Sequence, residues 1–416
     1  MPPGNDSKRL ALGTLLLGLA AGLAACVEPI QSGGVVMYGG ESARVAAMCR
    51  FRRGAEGKAG FCAPETEEPA AVTISRIYGK KKPYAAGPAS TEGDFKLDNG
   101  AIAVNIAVAD GAIAAAANSK GGEDEMGRVA TCLGAPLGCL TGVKVSAEPR
   151  RDGSASVLAL GHAEGDPRVT IATRYTLVPG ARVILVSTVV ASKADEPLVI
   201  PSPGDAVHWG KAEVLPAADK ERFPIAAATE APFVAALGTA VAYAITPTDR
   251  RGTLEVEGTG ETASLRFGRD VALPPGSSVH YERLFVVAPR GDTLGLLTEL
   301  ALVHEDRMPG AIELRFVNEA GKPLHPPFEA RVELLSSGDT PGPFLRIGPT
   351  YGEPSIAAEA PPGAYELDLH GKGLRALTRI PIEVKSGEVT QATIPVGAEA
   401  APAPAQGAPE GGTPAP

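Results

Sequence analysis

Residues 168–209 read RVTIATRYTLVPGARVILVSTVVASKADEPLVIPSPGDAVHW, and no other stretch constrains the fold as tightly. Its first half alternates. Val169, Ile171, Tyr175 and Leu177 fall on one face of an extended chain while Arg168, Thr170, Arg174 and Thr176 fall on the other, the period of two of a half-buried strand. Pro179 and Gly180 follow with a fixed φ and then a permissive one, which suits a tight turn. Beyond the turn, Val183, Leu185 and Val189 face one way and Ile184, Val186 and Val190 the other, so this strand is expected to be covered on both faces. A hairpin with one strand apolar on both sides belongs in the middle of a large sandwich.

The flanking sequence extends the same pattern. Gly93-Asp94-Phe95-Lys96-Leu97-Asp98 leads through Asn99-Gly100 into Ala101-Ile102-Ala103-Val104-Asn105-Ile106. Asn-Gly is the strongest short hairpin signal and predicts a type I′ turn, with Phe95, Leu97, Ile102, Val104 and Ile106 on one buried face. Residues 117–150 form a long polar and glycine-rich excursion, and short strand patterns then recur up to Val287. A single helix is predicted after the Asp292 cap, with Leu296, Leu297, Leu300, Ala301, Val303 and His304 at spacings of three and four and Pro309-Gly310 as the stop. With 50 Gly, 38 Pro and few aromatics, the fold class expected is all-β: a large antiparallel β-sandwich, one helix and a smaller β-sandwich. The divisions predicted are a signal segment at 1–25, a tether and disulfide-pinned segment at 26–70, the large sandwich at 71–290, the connecting helix at 291–309, the small sandwich at 310–396, and a disordered Ala/Pro/Gly tail at 397–416.

The N-terminus sets an address. A short basic start precedes ALGTLLLGLAAGLAAC, an apolar core too short for a comfortable membrane span, so it reads as a secretory signal. Leu23-Ala24-Ala25-Cys26 resembles the bacterial lipoprotein box. That resemblance implies that Cys26 becomes the lipidated mature N-terminus, and Val27 in place of an inner-membrane retention Asp implies the outer membrane of the cell envelope. The other four cysteines fall into two local pairs, Cys49 with Cys62 and Cys132 with Cys139, each expected to close a short loop in an oxidising compartment. A net charge of −9 excludes a basic footprint, and no nucleic-acid partner is expected.

Two further resemblances are carried by motifs. NEAGKPL, PPGAYELDL and SGEVTQATIPV resemble the carboxypeptidase regulatory-like group of transthyretin-type sandwiches, which implies a structural or adhesive module. GDFKLDNGAIAVNI, RYTLVPGARVILVSTVVAS and PGDAVHWG are similar to the noncatalytic N-terminal region of secreted metallohydrolases of the PHP (polymerase and histidinol phosphatase) type, itself similar to the mutarotase-like supersandwich. No His-x-His pair is present, so the resemblance implies the accessory half with the hydrolase absent.

Candidate chemistry concentrates in Gly204-Asp205-Ala206-Val207-His208-Trp209, where an acid, an imidazole and the single Trp adjoin. Trp209 as a stacking platform with Asp205 and His208 as hydrogen-bonding or proton-carrying groups is what a glycan site or a mutarotase-like enzyme needs. The alternative is a packed Trp209 beside a turn-stabilising Asp205. His162, Glu164 and Asp166 alternate as metal ligands on one strand face would, but Gly165 and Pro167 favour an acidic turn. Glu123-Asp124-Glu125 lacks calcium-loop spacing and reads as a solvated acidic loop. No cofactor motif, G-x-S-x-G or H-E-x-x-H occurs. The expectation is therefore a lipid-anchored, noncatalytic protein that binds a protein partner or an envelope glycan, with a mutarotase-like or polysaccharide-processing enzyme using Asp205 and His208 as the alternative.

Overall fold

In the computed structural model the described residues are 52–53, 59–60, 71–78, 90–119, 124–201, 203–215, 230–249, 252–258, 261–305, 308–323, 330–336, 343–347, 355–371 and 377–397. They form strands and one helix. The signal segment, Cys26, the Cys49–Cys62 pair, Glu123 and the chain beyond 397 lie outside them. β1 (Arg52–Arg53) and β2 (Ala59–Gly60) pair as a short ribbon.

The large sandwich has two antiparallel sheets. The first runs in the order β3 (Thr73–Arg76), β4 (Phe95–Asp98), β5 (Ile102–Ile106), β6 (Ile113–Asn118), β7 (Arg128–Leu133), β13 (Pro203–His208), β19 (Thr262–Arg266), β18 (Leu254–Glu257) and β15 (Glu230–Ala231). The second runs β8 (Gly138–Pro149), β9 (Ala155–Ala163), β10 (Val169–Leu177), β11 (Val183–Ser192), β21 (Ser278–Ala288), β17 (Ala242–Pro247), β16 (Val234–Leu237) and β14 (Glu213–Leu215). The chain crosses between the sheets at the β7–β8 hairpin, where Cys132 and Cys139 face each other at disulfide distance. β12 (Leu198–Ile200) and β20 (Val271–Leu273) make a separate ribbon.

The β10–β11 hairpin holds the central position its pattern predicts. β11 is flanked by β10 and β21. Its Ile184, Val186 and Val190 enter the core between the sheets, whereas Val183 and Leu185 enter a second core on the opposite face. The Asn99-Gly100 hairpin also forms, with its predicted residues in the main core, but the turn is not type I′. Only Gly100 has positive φ, +81°, and the link spans four residues. Asn99 Oδ1 accepts the N–H groups of Ala101 and Ile102 at 3.0 and 2.9 Å, while its Nδ2 donates to the carbonyls of Val178 and Ala181, both at 2.7 Å. The side chain closes its own turn and staples it to the β10–β11 turn, which a type I′ backbone would not require.

α1 (Thr293–Glu305) starts where Asp292 Oδ1 accepts the Gly295 N–H at 2.9 Å. Its first two turns are buried almost all round because it lies between two sandwiches. Leu296 and Leu300 share a core with residues of β17 and β21, against which the helix packs, while Leu294 joins the core of the smaller sandwich. That sandwich packs β25 (Ser355–Ala360), β22 (Gly310–Val317) and β28 (Val389–Pro395) against β24 (Phe344–Ile347), β23 (Ala330–Ser336), β26 (Gly363–Gly371) and β27 (Leu377–Val384). Ile312, Leu314, Phe316, Val332, Leu367 and Ile394 are among its core residues.

Candidate functional site

β13 carries Asp205 and His208, and strand parity separates them. Residues 203, 205 and 207 face inward, while Ala206 and His208 face outward. His208 is about half exposed, with Nε2 3.8 Å from Glu261 and Nδ1 accepting the Gly210 N–H at 3.2 Å. Trp209, just past the strand, is fully buried in the main core. Its backbone N–H donates to Glu261 O at 2.7 Å, and its indole Nε1 is enclosed without a hydrogen-bond partner. The three residues do not converge, and Trp209 presents no face to solvent.

Asp205 instead meets a residue the sequence reading passed over. Arg283 of β21, 2% exposed, crosses from the second sheet and forks onto the carboxylate: Nε donates to Oδ2 at 2.5 Å and Nη2 pairs with Oδ1. Nη1 donates to Thr188 Oγ1 at 2.7 Å and Nη2 to Thr131 Oγ1 at 3.0 Å. Thr173 Oγ1 closes the ring, 3.0 Å from Thr131 and 3.1 Å from Thr188. The guanidinium carbon also lies 4.9 Å from the Tyr281 ring centroid. A polar network of β7 and β13 from one sheet with β10, β11 and β21 from the other thus sits inside an apolar core.

Burial is the main influence on this pair. It pushes the Asp205 carboxyl upward against the pull of Arg283. For Arg283, burial is the largest influence and opposes the charge, but Asp205, Tyr281 and Tyr175 together exceed it and raise the guanidinium pKa. Burial likewise raises the Tyr175 and Tyr281 phenols. The void beside the network, lined by Tyr175, Asp205, Arg283, Ile113, Val186 and Phe285 among others, measures about 10 Å³. That is room for about one water molecule, whereas small-molecule pockets start at roughly 300 Å³. The arrangement joins two sheets and offers no room for a sugar.

The other candidates are also dispersed. His162 projects from β9 over Gly142, its Nδ1 3.0 Å from Ala163 O. Glu164 is exposed beyond the strand, and Asp166 forks onto Arg168 at 2.8–3.2 Å. Among the described residues no three metal-ligating side chains converge. Ser187 Oγ lies 2.8 Å from His280 Nε2, but Ser187 is 2% exposed and its hydroxyl is not presented to solvent. Asp124 and Glu125 depart from the solvated loop that was expected, since both are partly buried and bonded to backbone N–H groups.

No protein-family model and no curated protein matches the chain. Solved structures similar to it include a TPR-domain containing protein from Parabacteroides distasonis, at 9% identity and a TM-score of 0.39, covering 53% of this chain and 56% of that one. A putative aldose 1-epimerase from Escherichia coli K12 aligns at 10% identity and a TM-score of 0.34, covering 47% of this chain and 98% of its own. One from Klebsiella pneumoniae aligns at 12% and 0.32, covering 56% and 86%. This chain therefore spans little more than half the length of the first of these. At such scores nothing about activity transfers from them.

Proposed function

We propose that the chain is a lipid-anchored protein of the cell envelope whose sandwiches present a surface to a partner protein or an envelope glycan, without chemistry of its own. The observation supporting this reading is the divergence at β13. Asp205 is committed to Arg283 inside the core, His208 points away from it, and Trp209 is enclosed. Acid–base catalysis needs titratable groups converging on one accessible position, and these do not. Anchoring rests on the lipoprotein box that ends at Cys26.

The test pairs binding with turnover. The mature chain in detergent is titrated calorimetrically with envelope glycans and assayed in parallel for aldose anomer interconversion. Glycan binding without turnover, unchanged in His208→Ala, is the expected result. Turnover that disappears in His208→Ala would defeat the proposal. Mass spectrometry of the mature N-terminus checks the anchor, with acylation expected at Cys26 and lost in Cys26→Ser.

A further inference from the structure

A second inward-turned carboxyl, that of the partly buried Asp124, lies beside β6, and the geometry around it differs from that of Asp205. Asp124 Oδ1 accepts the Ala116 N–H of β6 at 3.0 Å and the Met126 N–H at 3.3 Å, with the Tyr243 hydroxyl of β17 at 3.4 Å. The same hydroxyl donates to Ala116 O at 2.9 Å, so both backbone groups of Ala116 are held by side chains at a point where β7 has diverged from β6. Asp124 Oδ2, by contrast, is enclosed and has no hydrogen-bond partner.

The residues that follow are clamped by neighbouring elements. Glu125 Oε2 accepts the N–H groups of Thr239 and Ala240, in the β16–β17 turn, at 2.5 and 3.2 Å. Glu125 O accepts the Lys211 N–H at 2.8 Å, and Gly127 donates to His208 O at 3.0 Å. The Met126 side chain is fully buried in the main core with Trp209. The titratable groups facing Asp124 are Tyr243 on β17 and Glu125 on its own segment; β6 contributes the uncharged Ala116. Burial, reinforced by the Glu125 charge, lifts the Asp124 carboxyl to about 7 despite its hydrogen bonds from Ala116, Met126 and Tyr243.

We propose that Asp124 is a protonation-operated latch. With its carboxyl neutral, residues 124–127 stay closed onto β6, the end of β13 and the β16–β17 turn; ionisation puts charge on the unpartnered Oδ2, draws water to it and loosens the clamp. This part of the sandwich, beside Trp209, is then tight in mild acid and loose in mild alkali.

Amide hydrogen exchange on the full chain reads this directly. Protection at Ala116, Met126, Lys211 and Thr239, corrected for intrinsic exchange rates, is expected to fall on the order of tenfold between about pH 5.5 and about pH 8.5. Emission of the single Trp should shift to the red over the same interval. Asp124→Asn should keep the acid-side protection throughout. Should that variant fail to fold, Glu125→Gln keeps an acceptor for Thr239 and Ala240 while removing the like charge, so the midpoint should move to lower pH. Protection in the wild type that does not change with pH, an undiminished fall in Asp124→Asn, or an unmoved midpoint in Glu125→Gln would overturn the latch.

Discussion

A carboxylate and a guanidinium enclosed together hold each other in place, and the consequence is lopsided. Removing Asp205 alone strands the Arg283 charge in the core and should cost about 3–5 kcal/mol, read as a fall in the urea midpoint of Asp205→Ala at constant slope. The double replacement Asp205→Leu with Arg283→Met should recover most of that loss, because packing then replaces a desolvated pair. Asp124 predicts a pH dependence of the less usual sign for an acid. Its folded pKa, about 7, exceeds the ordinary 3.8, so between those values the folded state binds more protons than the unfolded one. Its contribution to stability is therefore full in acid, declines as pH rises toward 7, and is flat above. After allowance for partial solvent exposure, the wild type should lose on the order of 1–2 kcal/mol relative to Asp124→Asn between about pH 5 and about pH 8. Equal slopes in parallel urea series would refute this. Part of the residue-scale picture was legible in advance. Positions 205 and 208 differ by an odd number, so on one strand they must face opposite sides, and Arg283 interrupts the apolar alternation of Val279, Tyr281, Phe285 and Val287. That Arg283 meets Asp205, 78 positions away, was not legible, because long-range pairing leaves no local pattern.

Elements were read best where side-chain period and turn chemistry agree. The β10–β11 hairpin combines alternation with Pro179-Gly180, and Gly180 adopts φ +70° in the turn as required. The Asn99-Gly100 hairpin was found for a reason only partly right, since the Asn side chain rather than a positive φ at Asn99 shapes the turn. This predicts a separation of roles. Asn99→Ala removes the turn acceptor and both donations, leaving Val178 O with only the Ala181 N–H at 3.3 Å and the half-buried Ala181 O without its amide donor, and should cost about 2 kcal/mol. Asn99→Asp keeps the acceptor for Ala101 and Ile102 but opposes carboxylate to carbonyl, so it should be nearly as damaging. Stability close to wild type in Asn99→Asp, measured by thermal unfolding, would assign the value of Asn99 to the turn alone. The same preference for side-chain contacts over local pattern explains α1. Its spacing predicted one apolar stripe, yet Leu294 faces one core and Leu296 and Leu300 another, because elements on both sides enclose it.

At the scale of the whole molecule, that helix makes the two sandwiches one mechanical unit. Asp292 caps α1, pairs with Arg290 at 2.8 Å, and accepts the Arg346 N–H of β24 at 3.2 Å, while Thr293 Oγ1 accepts the Phe344 N–H at 2.8 Å. Phe344 itself joins the core that α1 forms with the large sandwich. Neither sandwich can lose its fold without uncovering apolar surface of the other through this shared element, so their unfolding is expected to be coupled. Leu294→Ala removes packing from the small sandwich core and Leu296→Ala from the interface with the large one, each costing about 2–5 kcal/mol. In calorimetry both variants should shift one common transition whose calorimetric and van't Hoff enthalpies agree. Two transitions, with Leu294→Ala moving one and Leu296→Ala the other, would show instead that the sandwiches melt independently and that α1 belongs energetically to only one of them.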